Sequence, residues 1–124
     1  MPRECYSPEN APAPGGPYSP VVRVGNHVWT AGQCGYRIDR SLVEGLEGQV
    51  RQAFKNLLEA LAAAGANESD VVAVNVYLAA PDDFDAMNDV YREFFTQPFP
   101  VRTTVTAGLR PGVLFEIDAQ AIVS

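Results

Sequence analysis

"DVVAVNVYLAA", residues 70–80, places Val72, Val74, Val76 and Leu78 at every second position. Successive side chains of a strand point to opposite faces, so the period of two predicts a strand over 71–79, set in the middle of a sheet. Both flanks change period. Downstream, Pro81 and Asp82 signal a helix start, Asp83 and Asp85 sit near the positive end of its dipole, and Phe84, Met87, Tyr91, Phe94 and Phe95 form an apolar stripe. "QPFP" at 97–100 stops it. Upstream, Val50, Phe54, Leu57, Leu58 and Leu61 recur at spacings of three and four, which predicts an amphipathic helix from about Glu44 to Ala64, ended by Gly65.

Further out lie more strands. "VVRV" at 21–24 and "HVWTAG" at 27–32 are separated by Gly25-Asn26 and read as a tight hairpin. Val101–Ala107 and Leu114–Ile122 are two further strand candidates, joined by the turn-forming "GLRPG" at 108–112 and expected to pair as a hairpin. The first twenty residues hold six of the ten prolines and read as an extended arm with no regular element. The order ββαβαββ, with two helices that must each bury one stripe, predicts an α+β two-layer sandwich: a mixed sheet with both helices on one face.

In the last strand Phe115, Ile117, Ala119 and Ala121 share the side that should meet the helices. Leu114, Glu116, Asp118, Gln120 and Ile122 share the other, a mixture of apolar groups, carboxylates and an amide that suits a protein interface enclosing a polar site. Oligomerisation through that face is expected. A chain of 124 residues is enough for one domain, 1–124, and too short for two ordinary ones.

Nine basic residues against fifteen acidic ones give a formal charge of −6, which repels polyanions in the absence of a basic patch. Arg37 and Arg40 are the nearest approach to one and read as solvated charges. Cys5 and Cys34 are too few for a disulfide framework or metal knuckle, and no leader-like apolar run opens the chain, so a cytoplasmic protein is expected. No apolar run approaches the roughly 20 residues of a bilayer span. His27 is the one histidine and reads as a surface residue, Cys34 as a small buried hydrophobe, and no glycine run has the spacing of a nucleotide-phosphate loop.

What remains is Arg102, one arginine inside the strand candidate "PFPVRTTVTAG" at 98–108, and Glu116 on the next strand. Two readings stand. The pair can be a salt bridge and nothing more. Alternatively Arg102, always charged and presenting a rigid fork of donors, holds a small carboxylate while Glu116 handles a proton or a water.

With these residues in view the chain resembles the RidA/YjgF family of reactive-intermediate deaminases. The matching segments are "NAPAPGGPYSP" at 10–20, "TAGQ" at 30–33, "NVYLAAPDDFDAMNDVYREFF" at 75–95, "FPVRTTV" at 99–105 and "FEIDAQAI" at 115–122. The resemblance implies a chorismate-mutase-like fold, a homotrimer with three sites between subunits, and hydrolysis of enamine/imine intermediates such as 2-aminoacrylate and 2-iminopropionate to 2-keto acid and ammonia, with no cofactor or metal. Carried over by position, Arg102 would bind the substrate carboxylate with the backbone N–H of Thr104 as second donor, and Glu116 would activate the water. Tyr18 would close the cleft, with Ala31, Gly32 and Asn88 lining it. Ala31 stands where the family often has serine, Thr104 where bacterial relatives often have cysteine, and "CGYRIDRSLVEG" at 34–45 replaces a commoner proline- and glycine-containing segment. Two further readings are carried forward: a trimeric 2-keto-acid sensor without turnover, motivated by Ala31, and RNA cleavage, opposed by the acidic charge.

Overall fold

The structure, a computed structural model, describes residues 2–124. One sheet runs through the molecule. Its strands are β1 (Glu4–Tyr6), β2 (Val21–Val24), β3 (His27–Thr30), β4 (Gln33–Cys34), β5 (Val71–Leu78), β6 (Val101–Thr106) and β7 (Phe115–Ile122), in the order β1-β2-β3-β7-β5-β6, with β4 also paired to β7. Of two helices, α1 (Leu46–Ala63) lies against it, and α2 (Phe84–Tyr91) packs beside α1 and meets β6 where Arg102 lies over Phe84 and Tyr91. The α+β architecture and the mixed sheet are as predicted. β1 and β4 are additions: β1 pairs with β2 out of the arm that was expected to lack regular structure.

The central strand is β5, with β7 antiparallel on one side and β6 parallel on the other. This overturns the expected hairpin between the two C-terminal strands. β5, α2 and β6 form a βαβ unit, and a helix crossover delivers its second strand parallel to the first. The 107–114 connection then passes over the end of β5, where the Ala107 N–H donates to the Leu78 carbonyl and the Ala79 N–H to the Leu114 carbonyl. The hairpin at Gly25-Asn26 does form, with Val24 opposite His27 and Gly25 at φ 57°, a conformation glycine adopts without steric cost.

A bulge corrects one detail of β5. Val71 stands opposite Ala121 and Ala73 opposite Gln120, so Val72 is the extra residue and is exposed, while Val71, Val74, Val76 and Leu78 are buried. The core faces of β5 and β7 meet α1, whose Phe54 is fully buried and packs against Tyr91, Phe94, Phe95 and Phe115 with ring centroids 4.4 to 6.2 Å apart. In the predicted α2 stripe Met87, Tyr91 and Phe95 are buried, but Phe84 is 42% exposed and lies beside Arg102 instead.

The opposite sheet face has no layer over it. Trp29, Val72, Val101, Val105 and Ile122 are exposed large hydrophobic residues of this sheet, Val101 to 71%. Among them runs a polar row in which Asp118 accepts hydrogen bonds from Asn75 Nδ2 (2.9 Å) and the Tyr77 hydroxyl (2.8 Å). That bond, with burial second, pushes the Tyr77 phenol up to about 12, so it remains a donor at any ordinary pH.

Replacing Phe54 by alanine removes the ring on which four other aromatic groups converge and should lower the unfolding free energy by about 3 to 5 kcal/mol, read from urea denaturation. A loss below 1 kcal/mol would mean that the aromatic cluster is not the centre of the core.

Candidate active site

The strand register decides where Arg102 and Glu116 point. In β6 Arg102 stands beside Val74 and Thr104 beside Val76, so both face the helix layer with those buried valines. In β7 Glu116 stands opposite Tyr77, on the uncovered face. The two residues of one chain therefore lie on opposite sides of the sheet with β5 between them, which excludes the salt bridge that spacing alone allowed. Each belongs to a cavity of its own.

The first cavity, about 290 Å³, is lined by Tyr18, Ala31, Gly32, Cys34, Tyr36, Arg40, Asn56, Arg110 and Glu116 among others. Glu116 Oε1 accepts a hydrogen bond from the Cys34 thiol at 3.2 Å. A Cβ at Gly32 would fall on Glu116 Oε2, so the carboxylate occupies space that only glycine leaves open. Burial, reinforced by the Glu116 charge and hydrogen bond, raises the Cys34 thiol far above its ordinary range and keeps it a neutral donor. Tyr18 is about half exposed, and its hydroxyl accepts from the Gly15 N–H at 3.1 Å within the proline-rich arm. The hydroxyl missing at Ala31 is not replaced by Thr30, whose Oγ1 accepts from the Ala119 N–H at 3.0 Å.

The second cavity, about 240 Å³, is lined by Asn88, Tyr91, Arg92, Phe99, Pro100 and Arg102. The Arg102 guanidinium lies over the Tyr91 ring at 4.6 Å and the Phe84 ring at 5.6 Å, two residues on one face of α2. Aromatic faces attract a cation without neutralising it. Among the described residues Arg102 has no carboxylate partner, the ion pairs there being those of Arg51 and Arg92. The Thr104 hydroxyl is buried without a hydrogen-bond partner, as is that of Tyr91. Burial raises the Tyr91 phenol, opposed by the charge of Arg102.

Tyr18, Ala31, Gly32 and Glu116 thus line one cavity and Asn88 and Arg102 the other, Thr104 lies on the same face of β6 as Arg102, and Glu116 and Arg102 point to opposite faces of the sheet. Two supporting residues went unnoticed in the sequence. Asn56, buried in α1, donates to the carbonyls of Cys34 (3.0 Å) and Tyr36 (2.8 Å). Gln49, one heptad earlier and equally buried, donates to the Gly112 carbonyl at 3.0 Å and accepts from the Leu114 N–H at 2.8 Å. They fix the segments that lead into Cys34 and Glu116. The signal was two amides spaced by seven on the apolar side of a helix, where polar groups occur only with partners.

A mixed sheet carrying two helices on one face, with an arginine and a carboxylate in separate cavities, defines a small α+β protein. The family model described as Endoribonuclease L-PSP matches residues 8–123. The chain belongs to that family, which includes the RidA proteins. It is 41% identical over 125 residues to the 2-iminobutanoate/2-iminopropanoate deaminase of Dermatophagoides farinae, covering 98% of each chain. Its fold matches RidA from an Antarctic Psychrobacter bacterium with a TM-score of 0.93 at 34% identity, over 97% of this chain and 99% of the other. TdcF of E. coli, solved with bound serine, matches with a TM-score of 0.91 at 28% identity, over 98% and 99% of the two chains.

Because only the thiolate is strongly nucleophilic, iodoacetamide at pH 8 should alkylate the exposed Cys5 and leave Cys34 unmodified, as read by peptide mass. Equal labelling of the two would contradict the neutral, hydrogen-bonded thiol.

Proposed function

We propose that this protein hydrolyses the C=N bond of small 2-imino acids, releasing 2-keto acid and ammonia, at sites shared between the subunits of a homotrimer. The observation that carries the reading is the Arg102 guanidinium, seated on two rings and free of any carboxylate, on the opposite sheet face from Glu116. A substrate that uses both groups must lie between two protomers, with Arg102 from one and Glu116 from its neighbour. The uncovered face supports this, since exposed large apolar side chains beside a polar row are what a second copy would cover. β6 adds an edge strand whose outward backbone groups have no partner within the chain.

In the shared site Arg102 holds the substrate carboxylate through charge-assisted hydrogen bonds, with the Thr104 backbone N–H as a second donor. The imine carbon then faces Glu116, which holds a water and takes its proton as the oxygen adds to that carbon. The proton passes to nitrogen to complete the tetrahedral carbinolamine, and as the proton of its new hydroxyl is transferred in turn to the amine the C–N bond breaks, the C=O bond forms, and keto acid and ammonia are released. The reaction as written consumes one water and needs no cofactor or metal. Tyr18 closes the cleft, and Asn88, Ala31 and Gly32 shape it. The Cys34 thiol leaves one Glu116 oxygen occupied and the other for water. The cytoplasm is the proposed compartment, where the two free thiols, Cys5 and Cys34, stay reduced.

A second reading, a trimeric 2-keto-acid sensor without turnover, is favoured by the absent hydroxyl at Ala31, which Thr30 does not supply. RNA cleavage, the activity in the family model's description, is disfavoured by the net charge of −6. The experiment that decides is ammonia release from 2-iminopropionate generated in situ by an amino-acid oxidase. The wild type should exceed the uncatalysed rate. Arg102→Ala should fall by roughly 10- to 150-fold, the worth of one charge-assisted hydrogen bond, and Glu116→Gln should lose turnover more than binding. Binding of the keto acid by a wild type that gives no acceleration would favour the sensor.

Co-expressing Arg102→Ala with Glu116→Gln tests the sharing directly. About a quarter of the sites in a randomly mixed assembly regain both groups, so activity should return that neither variant has alone. Mixed trimers that stay inactive would overturn the shared site.

A further inference from the structure

Two arginines of the Glu116 cavity have no part in the mechanism above. Arg40 sits in the 34–45 loop at φ 71°, and its Nη1 donates to the Ala13 carbonyl of the proline-rich arm. Arg110 comes from the connection between β6 and β7, and its guanidinium lies over the Tyr36 ring at 5.9 Å. The two meet beneath the arm. A Cβ built on Gly15 would be 2.9 Å from Arg40 Nη2 and 3.0 Å from Arg110 Nη1, so glycine at that point lets both groups close on one spot.

The electrostatics of this spot are unbalanced. Two guanidinium groups within about 6 Å repel one another, a cost that proteins ordinarily relieve with a carboxylate. Among the described residues neither arginine forms an ion pair, and Arg110 makes no side-chain hydrogen bond. The cavity is therefore lined by two cations and one anion, Glu116, in a chain whose net charge is −6. Its positive character is local. The charge of Arg110 is felt at Cys34, the neighbour of Glu116, where it opposes the upward push of burial.

We propose that Arg40 and Arg110 bind a second anionic group of the substrate, so that the site takes the imines of dicarboxylic 2-amino acids. This inference rests on the imine-hydrolase reading: Arg102 of one protomer holds the carboxylate next to the imine carbon, and the side-chain carboxylate reaches the arginine pair of the other. The chemistry matches, because a planar guanidinium pair converging on one point offers forked donors to a carboxylate from two sides.

The test reads binding and not turnover. Isothermal titration of the assembled wild type with 2-oxoglutarate and with 2-oxopentanoate, matched in chain length and differing in the second carboxylate, should give a preference of roughly 10- to 100-fold for the dicarboxylate. In the double variant Arg40→Gln/Arg110→Gln the ratio of the two dissociation constants should approach one. Arg110→Gln alone, which leaves the Arg40 contact to the arm in place, should lower that ratio several-fold. Equal affinities in the wild type, failure to bind either acid, or a ratio unchanged in the variants would overturn the arginine pair. A wild type that prefers 2-oxoglutarate through these residues yet hydrolyses no imine would refute the hydrolase reading and leave the pair standing.

Discussion

The double pairing of β5 governs the rest of the molecule. One strand forms an antiparallel ladder with β7 and a parallel ladder with β6, and because side chains alternate strictly between faces, the registers of these ladders assign every residue of the three strands to a side. Val74 and Val76 bring Arg102, Thr104, Ile117 and Ala119 to the helix layer. Asn75 and Tyr77 bring Asp118 and Glu116 to the open one. A slip of one residue in the β7 ladder would turn Glu116 and Asp118 toward Phe54 and expose Ile117 and Ala119, and one in the β6 ladder would turn Arg102 to the open face.

Under the proposed function this constraint makes the site a property of an assembly. A strand pair cannot turn Arg102 and Glu116 toward each other through its own sheet, so each half is prepared separately and left unfinished. Arg102 is oriented by Tyr91 and Phe84, which keep its charge available. Glu116 is oriented by the Cys34 thiol and admitted by the missing side chain at Gly32. The helix α1 serves both purposes, filling the core with Phe54 and Leu57 while its buried amides, Gln49 and Asn56, hold the loops of the Glu116 half. Stability and site geometry share one helix face.

The Glu116 half also carries the groups that give its pocket its character. Ala31 offers no hydroxyl, Cys34 supplies a donor to the carboxylate, and Arg40 sets a cation beside Arg110. All three lie between β3 and α1: Ala31 just before β4, Cys34 in β4 opposite Glu116, and Arg40 in the loop that follows. Changes at such positions alter what a pocket accepts and leave the fold unchanged.

Much of this was legible in the sequence because it depends on local period. The alternation in 71–78, the three-and-four spacing in 46–63, the Gly25-Asn26 turn and the two faces of 115–122 each follow from geometry that a short stretch carries by itself. Arg102 and Glu116 stood out for the same reason, as charges in strand-like runs. Which strand lies beside which is set by non-local pairing, and it left the sequence reading with a C-terminal hairpin where the chain instead places β5 between β6 and β7. From that one difference follow the opposite faces of the two residues, the separate cavities, and the convergence of Arg40 with Arg110 from segments 70 positions apart. Such approach is decided by packing, which no local pattern encodes.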